Sequence, residues 1–368
     1  MEFLIAILSI IGIIGIIYIH QKRWSLFRKA ILKCHQGVSN NPTTPISVII
    51  CSQNPESRFV EYLKCVLEQN YSYFEVIVLI SKPIEKVEIE LNSISTSARH
   101  LRIIALDESC PYTEKKQALN QAIKASKHEW IVTIDDDCYP ESENWLSSIA
   151  KKIEQENCDI VLGISPFISQ SGFLQKFIRF DWLRNNLDLL SSWSVDRPIF
   201  GVGRNMAFQK NLWSEEYLNK YQQHGAGDDT CLVQFYRESK KISLMCESQV
   251  FTFPKLTFYE WILQKNRHYK TGFQLTIQDK KYLAQTPIFL FLFFTSIWVW
   301  ISWLPHPFVP ILLYLYYSIY RINQLFQVEK FLSVRRKTCW FLPILEPLHL
   351  IYQLLTPILF LILPSRWK

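Results

Sequence analysis

Between Pro45 and Asp279, short β-branched runs alternate with helical windows, which restricts the middle of the chain to a layered α/β fold. Ile46–Cys51 reads as a buried strand, Arg58–Gln69 as a helix, Phe74–Ile80 as a second strand and Ile84–Ala98 as a helix. Leu101–Leu106 reads as a third strand. Lys115–Ser126 follows as an amphipathic helix with Ala118, Leu119, Ala122 and Ile123 on one face, and Trp130–Ile134 as a fourth strand. Strands that alternate with helices in this way predict a mainly parallel sheet. Ligands of such sheets bind beyond the carboxyl ends of the strands.

The two ends of the chain are different in kind. Hydrophobic residues make up 49% of the 368, more than the middle alone supplies, and the excess lies at the termini. Phe3–Ile19 is an unbroken apolar run that as a helix extends roughly 26 Å, near the hydrocarbon thickness of a bilayer. Only Met1 and Glu2 precede it, while Lys22, Arg23, Arg28, Lys29 and Lys33 follow. A cleaved signal peptide has the reverse charge order, so the run reads as an anchor with its N-terminus outside and the remainder cytoplasmic. A buried core helix is the competing reading, against which stands the lack of any polar face.

Near the other end, Pro287–Leu304 is a second apolar run with Trp298, Trp300 and Trp303 toward one side, as in an interfacial belt. Phe308–Tyr320 is shorter and reads as the returning span. Arg321–Lys337 mixes apolar residues with Arg321, Lys330, Arg335, Arg336 and Lys337, the pattern of a cytoplasmic interfacial helix. Phe341–Leu363 is apolar but interrupted by Pro343, Pro347 and Pro357 and carries Glu346 and His349, so the number of crossings stays open. The expected domains are an anchor over 1–22, an α/β domain over 45–279 and C-terminal membrane segments over 286–364, with an interfacial helix near 321–337.

The net charge of +7 comes without a basic stripe interleaved with aromatics, which argues for a membrane surface and against nucleic acid as the partner. Nine cysteines without a CxxC pair or regular spacing predict neither a zinc site nor a disulfide framework, and read as reduced thiols.

Directly after the fourth strand stand Asp135, Asp136 and Asp137. Three adjacent like charges are costly unless a cation binds among them. Hard oxygen ligands suit Mg²⁺ or Mn²⁺, which can neutralise a diphosphate leaving group. A solvent-exposed cap leading into Pro140 and Glu141 is the alternative reading.

The order of motifs resembles the family 2 glycosyltransferases, membrane-anchored enzymes of bacterial type whose GT-A fold is a Rossmann-like, mainly parallel sheet. Ser47-Val-Ile-Ile-Cys-Ser-Gln-Asn54 resembles the opening strand and loop, with Cys51 where Pro is usual. Lys115-Lys-Gln-Ala-Leu-Asn-Gln121 resembles the helix start near the donor nucleotide, with Glu114 in place of Gly. Asp135 and Asp137 match the D-x-D metal motif. Gly201-Val-Gly-Arg-Asn-Met-Ala-Phe208 resembles a loop lining the sugar site, with Asn205 as its contact; a glycine turn before a strand reads the same. Gly225-Ala-Gly-Asp-Asp-Thr-Cys-Leu232 resembles the G-E-D motif, with Asp228 for Glu and Asp229 in the place of the general base; an Asp-rich N-cap for a helix over Cys231–Ser239 is compatible with it. Gln264-Lys-Asn-Arg-His268 resembles Q-x-x-R-W, with His268 for Trp; a basic stripe on a membrane-surface helix is its alternative.

The resemblance implies an inverting glycosyltransferase of hexosyltransferase type, working in cell-envelope glycan synthesis at the cytoplasmic face of a bacterial membrane. Its implied partners are a nucleotide-sugar donor, a UDP-sugar by family habit, and a lipid-linked or glycan acceptor. Catalysis falls to Asp229 with Asp228; donor contacts to Asn54, Lys115, Lys116, Asp135, Asn205, Gln264, Arg267 and His268; and the metal to Asp135 and Asp137. The stretch Leu79-Ile-Ser-Lys-Pro83 lacks the Asp that reads uracil in relatives, and Asp107 is the substitute on offer. Two rival readings are a non-catalytic membrane scaffold with a degenerate GT-A domain and a processive polysaccharide synthase.

Overall fold

A computed structural model describes residues 2–34, 41–53, 55, 58–80, 94, 100–106, 114–221, 227–303, 308–332 and 338–362. Asn54, Asp107, Gly225 and all of the expected Ile84–Ala98 helix except Ile94 lie outside these residues. Helix α1 (Glu2–Cys34) opens the chain and contains the Phe3–Ile19 run. It is followed by strand β1 (Ile46–Ser52), helix α2 (Phe59–Leu67) and strands β2 (Phe74–Ile80) and β3 (Leu101–Ala105). Helix α3 (Glu114–Ala125) leads into β4 (Trp130–Asp135), β5 (Cys138–Pro140) and α4 (Trp145–Glu156). Next come β6 (Ile160–Gly163), α5 (Phe173–Trp193), β7 (Met206–Gln209), α6 (Glu215–Tyr221) and α7 (Asp228–Tyr236). The remainder is β8 (Ile242–Met245), β9 (Val250–Thr252), α8 (Phe258–Thr271), α9 (Ile277–Trp303), α10 (Phe308–Phe331) and α11 (Leu342–Ile362).

The chain divides into two compact units. The first comprises Cys34–Ile168 and Asp196–Pro254, the second Met1–Lys33, Ser169–Val195 and Lys255–Pro364. Two stretches of the 45–279 segment, around α5 and α8, therefore cluster with the helices and not with the sheet.

In the α/β unit, seven strands form one sheet in the order β3-β2-β1-β4-β7-β6-β8. β1 pairs in parallel with both β2 and β4, and β2 with β3. Every residue of β2 is buried, as covering both faces of a parallel sheet demands. β7 runs antiparallel to both β4 and β6. Ala118, Leu119, Ala122 and Ile123 of α3 are buried, in keeping with their helical spacing. A carboxylate is built into the sheet: Glu75 stands beside Ser47 in register and accepts the Ser47 hydroxyl at 2.7 Å and the Lys127 N–H at 2.6 Å. Arg102 lies 3.3 Å from its other oxygen. Burial alone would raise the Glu75 carboxyl, but these donors outweigh it and hold it below the usual range. The expectation of reduced thiols without a pair is corrected here, because Cys34 and Cys246 form a disulfide with Cα atoms 6.5 Å apart.

In the helical unit, Ile16, Leu290, Phe293, Tyr317 and Leu350 bring α1, α9, α10 and α11 to one apolar cluster. Among the described residues, Ile277–Ser302 and Thr338–Leu359 are long and apolar enough to cross a membrane. The expected break at Arg321 is absent: α10 continues unbroken from Phe308 to Phe331. Arg321 is not a surface cation there, being 1% exposed and 3.4 Å from the Glu346 carboxylate, which offsets its charge inside the bundle. Residues 333–337 lie outside the described set. Asp181 is similarly paired, with Lys265 and with His349 Nε2 at 3.0 Å.

Candidate active site

The carboxyl ends of β1 and β4 lie side by side, with Cys51 in register with Asp135, so the acids that follow β4 emerge at the ligand-binding edge of the sheet. Ligand atoms of Asp135, Asp137 and Cys138 lie within 4.8 Å of one another. Asp136 points elsewhere and accepts the hydroxyl of Ser52. Burial, helped by Asp137 and Asp135 and opposed by the Ser52 bond, pushes the Asp136 carboxyl up to about 6. Lys115, at the start of α3, places Nζ 3.3 Å from Asp135 Oδ1, and that carboxylate chiefly holds its ammonium above the ordinary lysine value.

The donor set fits a hard divalent cation through two of its three members. Burial foremost, then Asp137 and Asp135, push the Cys138 thiol well up, with Arg204 pulling the other way. A protonated thiol is a poor ligand for Mg²⁺ or Mn²⁺, which leaves the oxygens of Asp135 and Asp137 as the fitting pair.

The second acidic pair stands at the start of α7. Gly227 takes the N-cap position with φ of 80°, so Asp228 and Asp229 occupy the first turn and are not themselves the cap. Carboxylates are favoured there by the helix dipole. The pair is split by its surroundings. Asp228 is buried and lies 3.1 Å from Nζ of Lys116, which is 0% exposed and also donates to the Tyr221 carbonyl. Burial raises the Asp228 carboxyl and Lys116 opposes the rise. Asp229 is half-buried and accepts the backbone N–H of Gly203 at 2.8 Å, while the Gly201 N–H donates to Thr230 Oγ1 at 3.2 Å. A Cβ on Gly201 would lie 2.4 Å from the Asp229 carbonyl carbon. The small residues of this loop thus admit the first turn of α7, where sequence reasoning had expected them to admit a ligand.

Two expected donor contacts are corrected. Asn205 is 1% exposed, with Oδ1 accepting the Trp145 indole N–H at 3.0 Å and Nδ2 donating to the Ile164 carbonyl at 2.8 Å. Both ends of its amide are taken up by these bonds within the core. Lys116 is likewise committed to Asp228 beneath the surface, and only Lys115 of the two lysines reaches the acidic edge. Gln264, Arg267 and His268 lie on α8 of the helical unit, whose start is fixed by a capping box between Thr257 and Glu260. Gln264 and Arg267 are half-buried and His268 is exposed. Sequence reasoning passed over Arg204 and the Gly203 N–H; a basic residue inside a glycine loop was the available signal.

The Glycosyl transferase family 2 profile matches residues 47–216, ending before Asp229. No curated protein matches the chain in sequence. Among solved structures, the mannosyltransferase PcManGT from Pyrobaculum calidifontis, in complex with GDP-Man and Mn²⁺, is 14% identical with a TM-score of 0.57, over 94% of this chain and 99% of that one. That likeness is one of fold. S. aureus TarS 1–349 is 16% identical with a TM-score of 0.43, over 83% of this chain and 91% of that one, a weaker likeness that carries no inference. Residues 47–216 thus match the family 2 glycosyltransferase profile, and the seven-stranded, mostly parallel sheet that holds them is of GT-A type.

Proposed function

We propose that this chain transfers a sugar, with inversion, from a nucleoside-diphosphate-sugar to an acceptor hydroxyl, with Asp229 as the general base. The observation that carries the reading is the division of labour between the paired acids. Asp228 is neutralised below the surface by Lys116, whereas Asp229 is half-buried and oriented by a main-chain N–H. Inversion requires a carboxylate to take the acceptor proton as the diphosphate leaves from the opposite face of the sugar. A fixed orientation keeps that carboxylate in place during transfer.

Asp135 and Asp137 would hold a divalent cation, whose contribution when bound is to neutralise charge on the departing diphosphate. The Mn²⁺ of the Pyrobaculum relative supports that choice of ion. Lys115 keeps a positive charge beside Asp135. The nucleotide class is left to experiment, since that structure carries GDP-Man and Leu79-Ile-Ser-Lys-Pro83 lacks the Asp with which UDP-sugar enzymes of the family read uracil. The apolar helices Ile277–Ser302 and Thr338–Leu359 support a membrane setting and hence a lipid-linked or membrane-associated glycan acceptor, and the lysines and arginines after Ile19 support a cytoplasmic site.

The test is nucleoside-diphosphate release from a panel of nucleotide-sugars by the full chain in detergent, with and without Mn²⁺. Asp229→Asn should lower transfer by about 10²–10⁴-fold while leaving nucleotide binding intact. Unchanged turnover in that variant removes Asp229 from the role of base. If no nucleotide binds the wild-type chain, the non-catalytic scaffold is favoured.

A further inference from the structure

Arg204 is the one residue of the glycine loop with a long cationic side chain, and among the described residues no carboxylate pairs with it. Its guanidinium lies over the ring of Phe167, 5.4 Å from the centroid. Its Nε is buried with no hydrogen-bond partner, and no carboxylate of the described residues lies within ion-pair distance of it. A guanidinium that has given up water at one of its nitrogens needs a counter-charge to offset the loss.

Three features place that guanidinium at the acidic edge. The antiparallel ladder of β4 and β7 pairs Thr133 with Met206. A turn closed by the Asn205 N–H on the Val202 carbonyl at 2.8 Å then carries Arg204 at the end of β7 that opens there. Phe167, which the guanidinium covers, bridges to Thr252, and Thr252 pairs with Cys138. The ring is thus about two strand spacings, each roughly 4.8 Å, from Cys138. On the other side of Arg204 the preceding residue, Gly203, holds Asp229.

We propose that Arg204 binds the phosphate oxygens of the donor's diphosphate, facing Asp135 and Asp137 across the leaving group; the proposal rests on the glycosyl-transfer reading above. The planar fork of guanidinium matches two phosphate oxygens at once, and Arg204 lies between the edge that would hold the cation and the carboxylate that would take the acceptor proton. A phosphate on the acceptor has the same chemistry, and the test separates the two sources.

Affinities of the full detergent-purified chain for UDP, GDP, CDP, ADP and dTDP, and for the corresponding nucleosides, are measured in Mn²⁺ for wild type, Arg204→Gln and Arg204→Lys. The expected result is a loss of about tenfold or more for the best diphosphate in Arg204→Gln and a smaller loss in Arg204→Lys, which keeps charge without the fork. Nucleoside affinity and the ligand-free melting temperature should stay at wild-type values, which a merely structural role would not allow. Should Arg204→Gln fail to fold, Arg204→Lys against wild type carries the comparison. Variants that bind diphosphate as wild type does overturn the proposal on its own, including the case in which they weaken only for a phosphorylated lipid acceptor. If wild type binds no nucleoside diphosphate, the transfer reading fails and this proposal with it.

Discussion

The Asp229 carboxylate accepts the backbone N–H of Gly203 at 2.8 Å, so the group proposed as base is oriented by main chain. The glycines of that loop should therefore differ in how they respond to an added methyl. In Gly201→Ala the new Cβ would lie 2.4 Å from main chain of Asp229, which must move; in Gly203→Ala it would lie 3.3 Å from the Asp229 Cβ, which a small shift relieves. Gly201→Ala is expected to lower turnover by about a hundredfold and stability by about 1–3 kcal/mol. Gly203→Ala should cost much less on both counts. Steady-state kinetics and thermal melts of the two variants decide it, and equal effects would separate the loop from Asp229.

Lys116 and Asp228 form a buried pair 3.1 Å apart. Lys116→Met strands the carboxylate and should destabilise the α/β unit by about 3–5 kcal/mol at neutral pH. Burial already raises the Asp228 carboxyl, and losing the lysine raises it further. A group with a raised folded-state pKa favours the fold while protonated, so the variant's deficit should shrink at acid pH and grow as pH rises. Adding Asp228→Leu to Lys116→Met should recover most of the loss in urea unfolding.

Glu75 titrates below its ordinary value of 4.5 in the folded chain. A depressed carboxyl stabilises the fold above its unfolded pKa, and that stability is lost as pH falls below about 4.5 through the folded value. Glu75→Gln should flatten this acid limb in melts from pH 7 downward. A wild-type limb in the variant would assign acid sensitivity to other groups.

The Cys34–Cys246 disulfide sets a thiol count. Of nine cysteines, the denatured unreduced chain should take up 9 − 2 = 7 alkyl groups, and nine after reduction, by intact mass. Nine without reduction, from cells lysed in alkylating agent, would mean that the pair is held reduced where the chain resides.

The sheet was legible in the sequence where neighbouring residues determine the outcome. β1, β2 and β4 fall within one residue of their expected ends, because a strand buried on both faces shows itself as a local apolar run. The cluster after β4 was legible for the same reason, since Asp135 and Asp137 are adjacent in the chain. What escaped were pairings that only the fold creates. Lys116 and Asp228 look like surface charges until a buried ion pair joins them, and Cys34 and Cys246 are 212 residues apart. Arg321 looked like the end of a membrane span because nothing nearby in sequence reveals Glu346 as its partner. Asn205 drew attention through its family position, yet only its bonds to Trp145 and Ile164 show that it faces the core.

The reversed direction of β7 limits how this protein's sequence can drift. Because β7 is antiparallel to β4, its leading end opens on the acidic edge, and a turn closed by the Asn205 N–H on the Val202 carbonyl delivers the chain into it. At the end of that turn Asn205 is buried in the core, and just before it Arg204 covers the ring of Phe167. One residue inserted or deleted between Gly203 and Met206 would break that turn and draw Asn205 away from Trp145 and Ile164. This short approach to β7 is therefore expected to vary by substitution and not by insertion or deletion, its length held fixed by the turn and by the core bonds of Asn205.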